Sequence, residues 1–116
     1  MRIFETTAVV IGMALVLSTS AFAAGDAKKG KMLFDDAKFA GGSVSCSSCH
    51  PDGKGLEKSG IEGKKEWKNP AGTWLTLEDA NNVCLILANK GEAIDPKSAE
   101  MEDLVAYIKS LSMIKK

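Results

Sequence analysis

Five consecutive residues, Cys46-Ser47-Ser48-Cys49-His50, constrain this chain more than any other stretch of it. They read C-x-x-C-H, the spacing used for covalent attachment of a c-type haem. The chemistry sets the spacing. Two thiols add across the two vinyl groups of one porphyrin, so they must lie close together on a short turn. The residue that follows must bring an imidazole nitrogen beneath the iron. His50 has that position and is the chain's single histidine. The motif therefore assigns Cys46 and Cys49 as haem thioether residues and His50 as the proximal iron ligand. One covalently bound haem c is the expected cofactor.

Two rival chemistries use the same residues. A C-x-x-C pair also serves as a redox disulfide in thioredoxin-like proteins, but these surround it with an α/β pattern that this sequence lacks. Cys46, Cys49, His50 and Cys84 also make up a Cys₃His set for tetrahedral zinc. The adjacency of Cys49 and His50 argues against it, because zinc ligands in one stretch are usually about two to four residues apart.

The start of the chain reads as a secretory signal. Arg2 supplies positive charge, Ala8 to Leu17 is apolar, and Ala21 and Ala23 occupy the A-x-A positions of a cleavage site. The apolar run is well short of the roughly 20 residues a membrane span needs. The expected organisation is a signal peptide over 1–23, removed on export, and one domain over 24–116. Export implies the periplasm and no stable membrane insertion after cleavage. An uncleaved anchor is the alternative. Basic and acidic residues balance at 15 each, which gives no electrostatic reason to expect nucleic acid as a partner.

Three helices follow from periodicity and caps. Asp26 to Lys38 carries Gly30 and Phe34 at helical spacing and runs into Gly41-Gly42. Thr76 to Lys90 opens with Thr76 as N-cap and Asp79 three residues on, places Leu77, Ala80, Cys84, Leu87 and Ala88 on one face, and meets Gly91. Ser98 to Lys115 has Ser98 as N-cap and a stripe of Met101, Leu104, Val105, Ile108 and Leu111. Between the haem motif and the second helix lies a long glycine- and lysine-rich segment with a turn signal at Asn69-Pro70-Ala71-Gly72. A loop of that length is expected to wrap the edge of a cofactor. Trp67 and Trp74 either pack there or bond a haem propionate through an indole N–H. No strand pattern is evident, so the expected fold class is all-α.

With Gly30, Phe34, the Cys46–His50 motif and Leu104 to Leu111 in place, the chain resembles a class I cytochrome c domain. The resemblance implies three main helices around one covalently attached haem. It also implies that the first and last helices cross at right angles, with Gly30 and Phe34 meeting Tyr107. One departure stands out. That family usually takes its second axial ligand from a methionine in the loop before the last helix, and no methionine lies between Pro51 and Glu100. Met32, Met101 and Met113 remain, and Met101 shares the apolar stripe of the last helix, where methionine is more often core than ligand.

The segment from Leu77 to Leu111 also resembles the corresponding region of thiosulfate dehydrogenases and related dihaem sulfur-oxidising cytochromes. Asn82, Cys84, Gly91, Ser98, Glu100, Met101, Ala106 and Tyr107 carry that likeness. Carried over by position, Cys84 becomes the distal iron ligand and Met101 a less favoured candidate. A buried, inert Cys84 packed over the haem edge is the structural alternative. Those relatives hold two haems, whereas this chain has one motif.

The function expected from sequence is a periplasmic monohaem c-type cytochrome, a monomeric one-electron carrier between redox partner proteins and not an enzyme. Lys54, Lys58, Lys64 and Lys65 are candidate docking charges or ordinary loop solubility. Two alternatives stay open. One is the haem subunit of a sulfur-compound oxidoreductase with Cys84 at the iron, although no arginine follows Arg2 to clamp an oxyanion. The other is a haem-based gas sensor with a weak or missing sixth ligand.

Overall fold

The computed structural model describes residues 25–113. The expected signal peptide and the last three residues lie outside the described residues. Helix α1 spans Ala27–Asp35 and α4 spans Ala99–Leu111, and these two make the most extensive contact in the fold. Asp26 caps α1, its carboxylate accepting from the N–H groups of Lys28 and Lys29. The helix ends earlier than Lys38. Asp36 turns to extended backbone and its side chain accepts the Lys38 N–H at 2.9 Å, which offers the chain a local alternative to another helical turn. A 3₁₀ turn over Phe39–Gly41 then delivers Phe39 to the core.

The expected meeting of Gly30, Phe34 and Tyr107 is present. The Phe34 and Tyr107 rings stand 5.0 Å apart at 59°, a tilted aromatic pair. Gly30 lies directly on α4. A methyl group there would overlap the Asp103 carbonyl and come within 2.8 Å of the Tyr107 Cβ. Ser98 caps α4 by accepting the Met101 N–H at 3.2 Å. The α4 stripe of Met101, Leu104, Val105, Ile108 and Leu111 is buried, with Tyr107 beside it.

Helix α3 spans Leu77–Leu87, with Thr76 accepting the Asp79 N–H at 3.0 Å as its cap. Its buried face differs from the expected one. Leu77 and Ala80 are buried, but Asn82 and Leu85 take the positions expected of Cys84 and Leu87, which are exposed in the polypeptide. The polar member explains itself. Asn82 donates to the Ile94 carbonyl and accepts from the Ile94 N–H, both at 2.9 Å, and so ties the link between α3 and α4 to the helix.

The α3 terminus also differs in detail. The Gly91 N–H returns to the Leu85 carbonyl at 2.8 Å, but the left-handed residue is Lys90, with φ of 63°. Gly91 is needed for space instead, since a methyl there would sit 2.7 Å from the Ala40 carbonyl oxygen. Replacing Lys90 by glycine removes the side-chain clash of a left-handed residue at the cost of a looser unfolded chain. The expected net gain is about 0.5 kcal/mol, a rise in melting temperature of roughly 2–4 °C. Thermal unfolding checks it, and a lower melting temperature would contradict the assignment of that cap.

The all-α expectation needs one correction. Trp67–Asn69 (β1) and Gly72–Trp74 (β2) form an antiparallel hairpin, with Trp67 opposite Trp74 and Asn69 opposite Gly72. The turn signal at 69–72 was sound. The flanking three-residue strands are too short to show alternation in sequence. The Asn69 side chain accepts the Ala71 N–H at 2.9 Å and closes the turn. The domain is thus mostly helical with one small sheet. Among the described residues, no helix is long and apolar enough to cross a membrane.

Candidate haem site

The motif forms a single helical turn, α2, over Cys46–Cys49, closed by the His50 N–H donating to the Cys46 carbonyl at 3.0 Å. That turn brings both thiols and the imidazole to one wall of a cleft. The chain then reverses sharply. Asp52 and Gly53 both take positive φ, and the Gly53 N–H bonds the His50 carbonyl at 2.8 Å. The reversal places the Lys54 carbonyl 2.9 Å from His50 Nδ1. A carbonyl can only accept, so Nδ1 carries the proton and Nε2 keeps its lone pair. That is the tautomer a metal-binding imidazole needs. Gly55, at φ of 94°, leaves the ring its room, since a methyl there would stand 3.3 Å from Nδ1.

The opposite wall is α3. Asn81, Cys84, Leu85 and Ala88 face the cleft from it, and Phe34, Leu56, Leu104 and Ile108 supply the apolar floor. In the bare polypeptide the space between the walls is about 80 Å³, below the roughly 300–1,000 Å³ of small-molecule and cofactor pockets, so the walls must part to take a porphyrin. Cys84 is open to solvent on its outer side, but partial desolvation against the cleft pushes its thiol up, and nearby Cys49 adds to the shift. Burial also raises the Cys46 thiol, partly opposed by a hydrogen bond from Asn89. These effects keep both sulfurs neutral in the bare polypeptide.

The methionines lie elsewhere. Met101 is fully buried under α3, with the Asn81 amide 3.7 Å from its sulfur, and it does not reach the cleft. Met32 and Met113 are exposed and do not line it either. The zinc alternative has no geometric support, because among the described residues no three His, Cys, Asp or Glu side chains converge on an ion-sized point. All three cysteines are unpaired. Of the four candidate docking lysines, all exposed, Lys54 adjoins the motif, whereas Lys64 borders a separate, wider groove between the 59–64 loop and α4.

Two features of the site were not read from the sequence. Asn89, buried just past α3, donates to the Cys46 sulfur at 3.2 Å. Its carbonyl accepts from the N–H groups of Ser43 and Val44, so the end of α3 is stitched to the approach to the motif. Ser45 is buried, with its hydroxyl within 3.0 Å of the hydroxyls of Ser47 and Ser48. The two tryptophans singled out in the sequence do not line the cleft and have different fates. Trp67 Nε1 donates to the Ser59 carbonyl at 2.7 Å, whereas the buried Trp74 Nε1 and Asn69 Nδ2 have no partner among the described residues. A buried donor left unmade costs about 1–3 kcal/mol.

The family model of the SoxA/TsdA cytochrome c domain matches residues 29–115. The chain belongs to the SoxA/TsdA cytochrome c domain family. The match runs from within α1 to past α4, so it covers nearly all of the described domain and not only the region from Leu77 onward. No curated protein and no solved structure matches the chain. A SoxA/TsdA cytochrome c domain carries covalently bound haem c and exchanges electrons with redox partners. The residues present suit that group: a two-thiol turn, an imidazole with a free Nε2, and a mostly apolar lining between two walls.

Proposed function

We propose that the chain is an exported, periplasmic monohaem cytochrome that carries single electrons within a sulfur-compound oxidation system and turns over no substrate itself. In this reading Cys46 and Cys49 hold one haem c through thioethers and His50 Nε2 is the proximal ligand. Cys84, on the facing wall, is the distal ligand. The haem supplies the one-electron couple, and the chain supplies axial ligands, burial and an accessible edge. The observation that carries the reading is the cleft itself, with the motif on one wall and Cys84 on the other. Cys49 is exposed, which leaves the thioether edge open to a docking partner.

Cys84 also supports a second reading, in which the chain is the haem subunit of an oxidoreductase acting on thiosulfate-like compounds. Steady-state assay separates the two. Purified holoprotein with thiosulfate and ferricyanide, or with tetrathionate and a reduced dye, is expected to show rapid single-electron exchange and no sustained turnover. Sustained turnover lost in Cys84→Ser would overturn the carrier assignment and establish the enzyme.

A further inference from the structure

We propose that Asn89 is a positioning residue for haem attachment, holding the Cys46 sulfur toward its vinyl group while Cys49 attaches unaided. That role rests on the haem reading of the motif. The two thiols share one turn but differ in setting. Cys49 is exposed, whereas Cys46 is partly buried and accepts the Asn89 side-chain N–H at 3.2 Å. Asn89 is only 3% exposed and lines the cleft together with both cysteines. An amide nitrogen only donates and a sulfur is a weak acceptor, so the contact has one polarity. It occupies one side of the sulfur and limits rotation of the Cys46 side chain.

The backbone delivers that amide. The Asn89 N–H bonds the Cys84 carbonyl at 3.0 Å, which anchors it to α3. Its carbonyl accepts the Ser43 N–H at 2.9 Å and the Val44 N–H at 3.2 Å, and the Glu92 N–H returns to the Ala40 carbonyl at 2.9 Å. The end of α3 is thereby pinned to residues 40–44, just ahead of the motif. The walls must part to take a porphyrin, and this corner is where they stay joined. Opening here breaks backbone hydrogen bonds, whereas opening farther along α3 separates side chains. Asn89 therefore stays beside Cys46 as the cleft fills.

Attachment is an addition. The sulfur bonds the vinyl carbon next to the ring, the thiol hydrogen goes to the terminal carbon, and the π bond between the two carbons is lost. No oxidant or reductant is consumed. The rate depends on how often the sulfur points at that carbon, since orientation sets the effective concentration of a tethered nucleophile. An exposed Cys49 samples its rotamers until it meets the vinyl group. A partly buried Cys46 in the wrong rotamer faces protein instead, so its orientation has to be set beforehand.

The test follows thioether formation on the reduced, haem-free full chain mixed with ferrous haem, each cysteine being read separately by peptide mass spectrometry. Asn89→Leu is close in size and has no donor. In it, attachment at Cys46 is expected to slow about fivefold, the factor a hydrogen bond of ordinary net strength is worth. Attachment at Cys49 in the same sample should keep the wild-type rate, which also shows that the variant folds. The early product is then a haemoprotein with an unreacted Cys46 thiol and a pyridine haemochrome band to the red of the wild type. Equal slowing at both cysteines, in Asn89→Leu and in the smaller Asn89→Ala, would show a packing role and overturn the proposal. So would wild-type rates at both cysteines in Asn89→Leu. Failure of the haem reading looks different: a wild-type chain that forms no thioether at either cysteine would overturn both.

Discussion

Gly30→Val is expected to remove a large part of this domain's stability. Gly30 sits where α1 touches α4, and even one methyl group would overlap the Asp103 carbonyl. The obstacle is backbone rather than a flexible side chain, so the helices must separate. Separation opens the Phe34–Tyr107 pair, worth about 0.5–1.5 kcal/mol beyond its burial. It also exposes apolar surface at about 25 cal/mol per Å². A total of about 4 kcal/mol or more is expected, against a stability on the order of 5–10 kcal/mol for a domain of this size. The melting temperature should fall by roughly 15–30 °C. Gly30→Ala should show the same effect at smaller size. A valine variant within 1 kcal/mol of wild type in chemical denaturation would show that the two helices do not meet there.

The second large effect is electronic. Cys84→Ser is expected to raise the reduction potential by on the order of 100 mV, a fraction of the roughly 0.8 V that axial ligands span. A thiolate stabilises ferric iron, so its removal favours the reduced state. The fold should be nearly unaffected, because Cys84 is exposed in the polypeptide and the exchange is close to isosteric. Met101→Leu is the matched control. It should leave the potential alone and cost less than about 1.5 kcal/mol, as a volume-conserving core exchange does. The opposite pattern, with potential following Met101, would move the distal ligand to α4 and require the Asn81–Met101 contact to break.

Local chemistry carried most of what the sequence revealed. Asp26 was expected in the first helix and proves to be its cap, while Thr76 and Ser98 cap α3 and α4 as expected. A close neighbour at Gly30 was legible because glycine is costly inside a helix, whereas its meeting, with Phe34, against Tyr107 came from the resemblance to class I cytochromes c. The haem motif was legible because its chemistry fixes its spacing. Contacts between distant segments were not. Asn89 reaches Cys46 across 43 residues of sequence, and no local pattern marks a buried amide that donates to a sulfur. Asn82 sat in a helix that read as apolar on another face, and its partner is the backbone of Ile94, which leaves no side-chain signature. The hairpin escaped because three-residue strands carry too few residues for a period of two to emerge.

The haem-site account stands or falls on which atoms surround the iron. X-ray absorption at the iron edge of the ferric holoprotein reads that directly, in wild type, Cys84→Ser and Met101→Leu. One sulfur scatterer beside the ring and imidazole nitrogens is expected in wild type and in Met101→Leu, and none in Cys84→Ser. A sulfur that persists in Cys84→Ser, or a wild-type iron with no sulfur at all, would contradict the placement of Cys84 opposite His50.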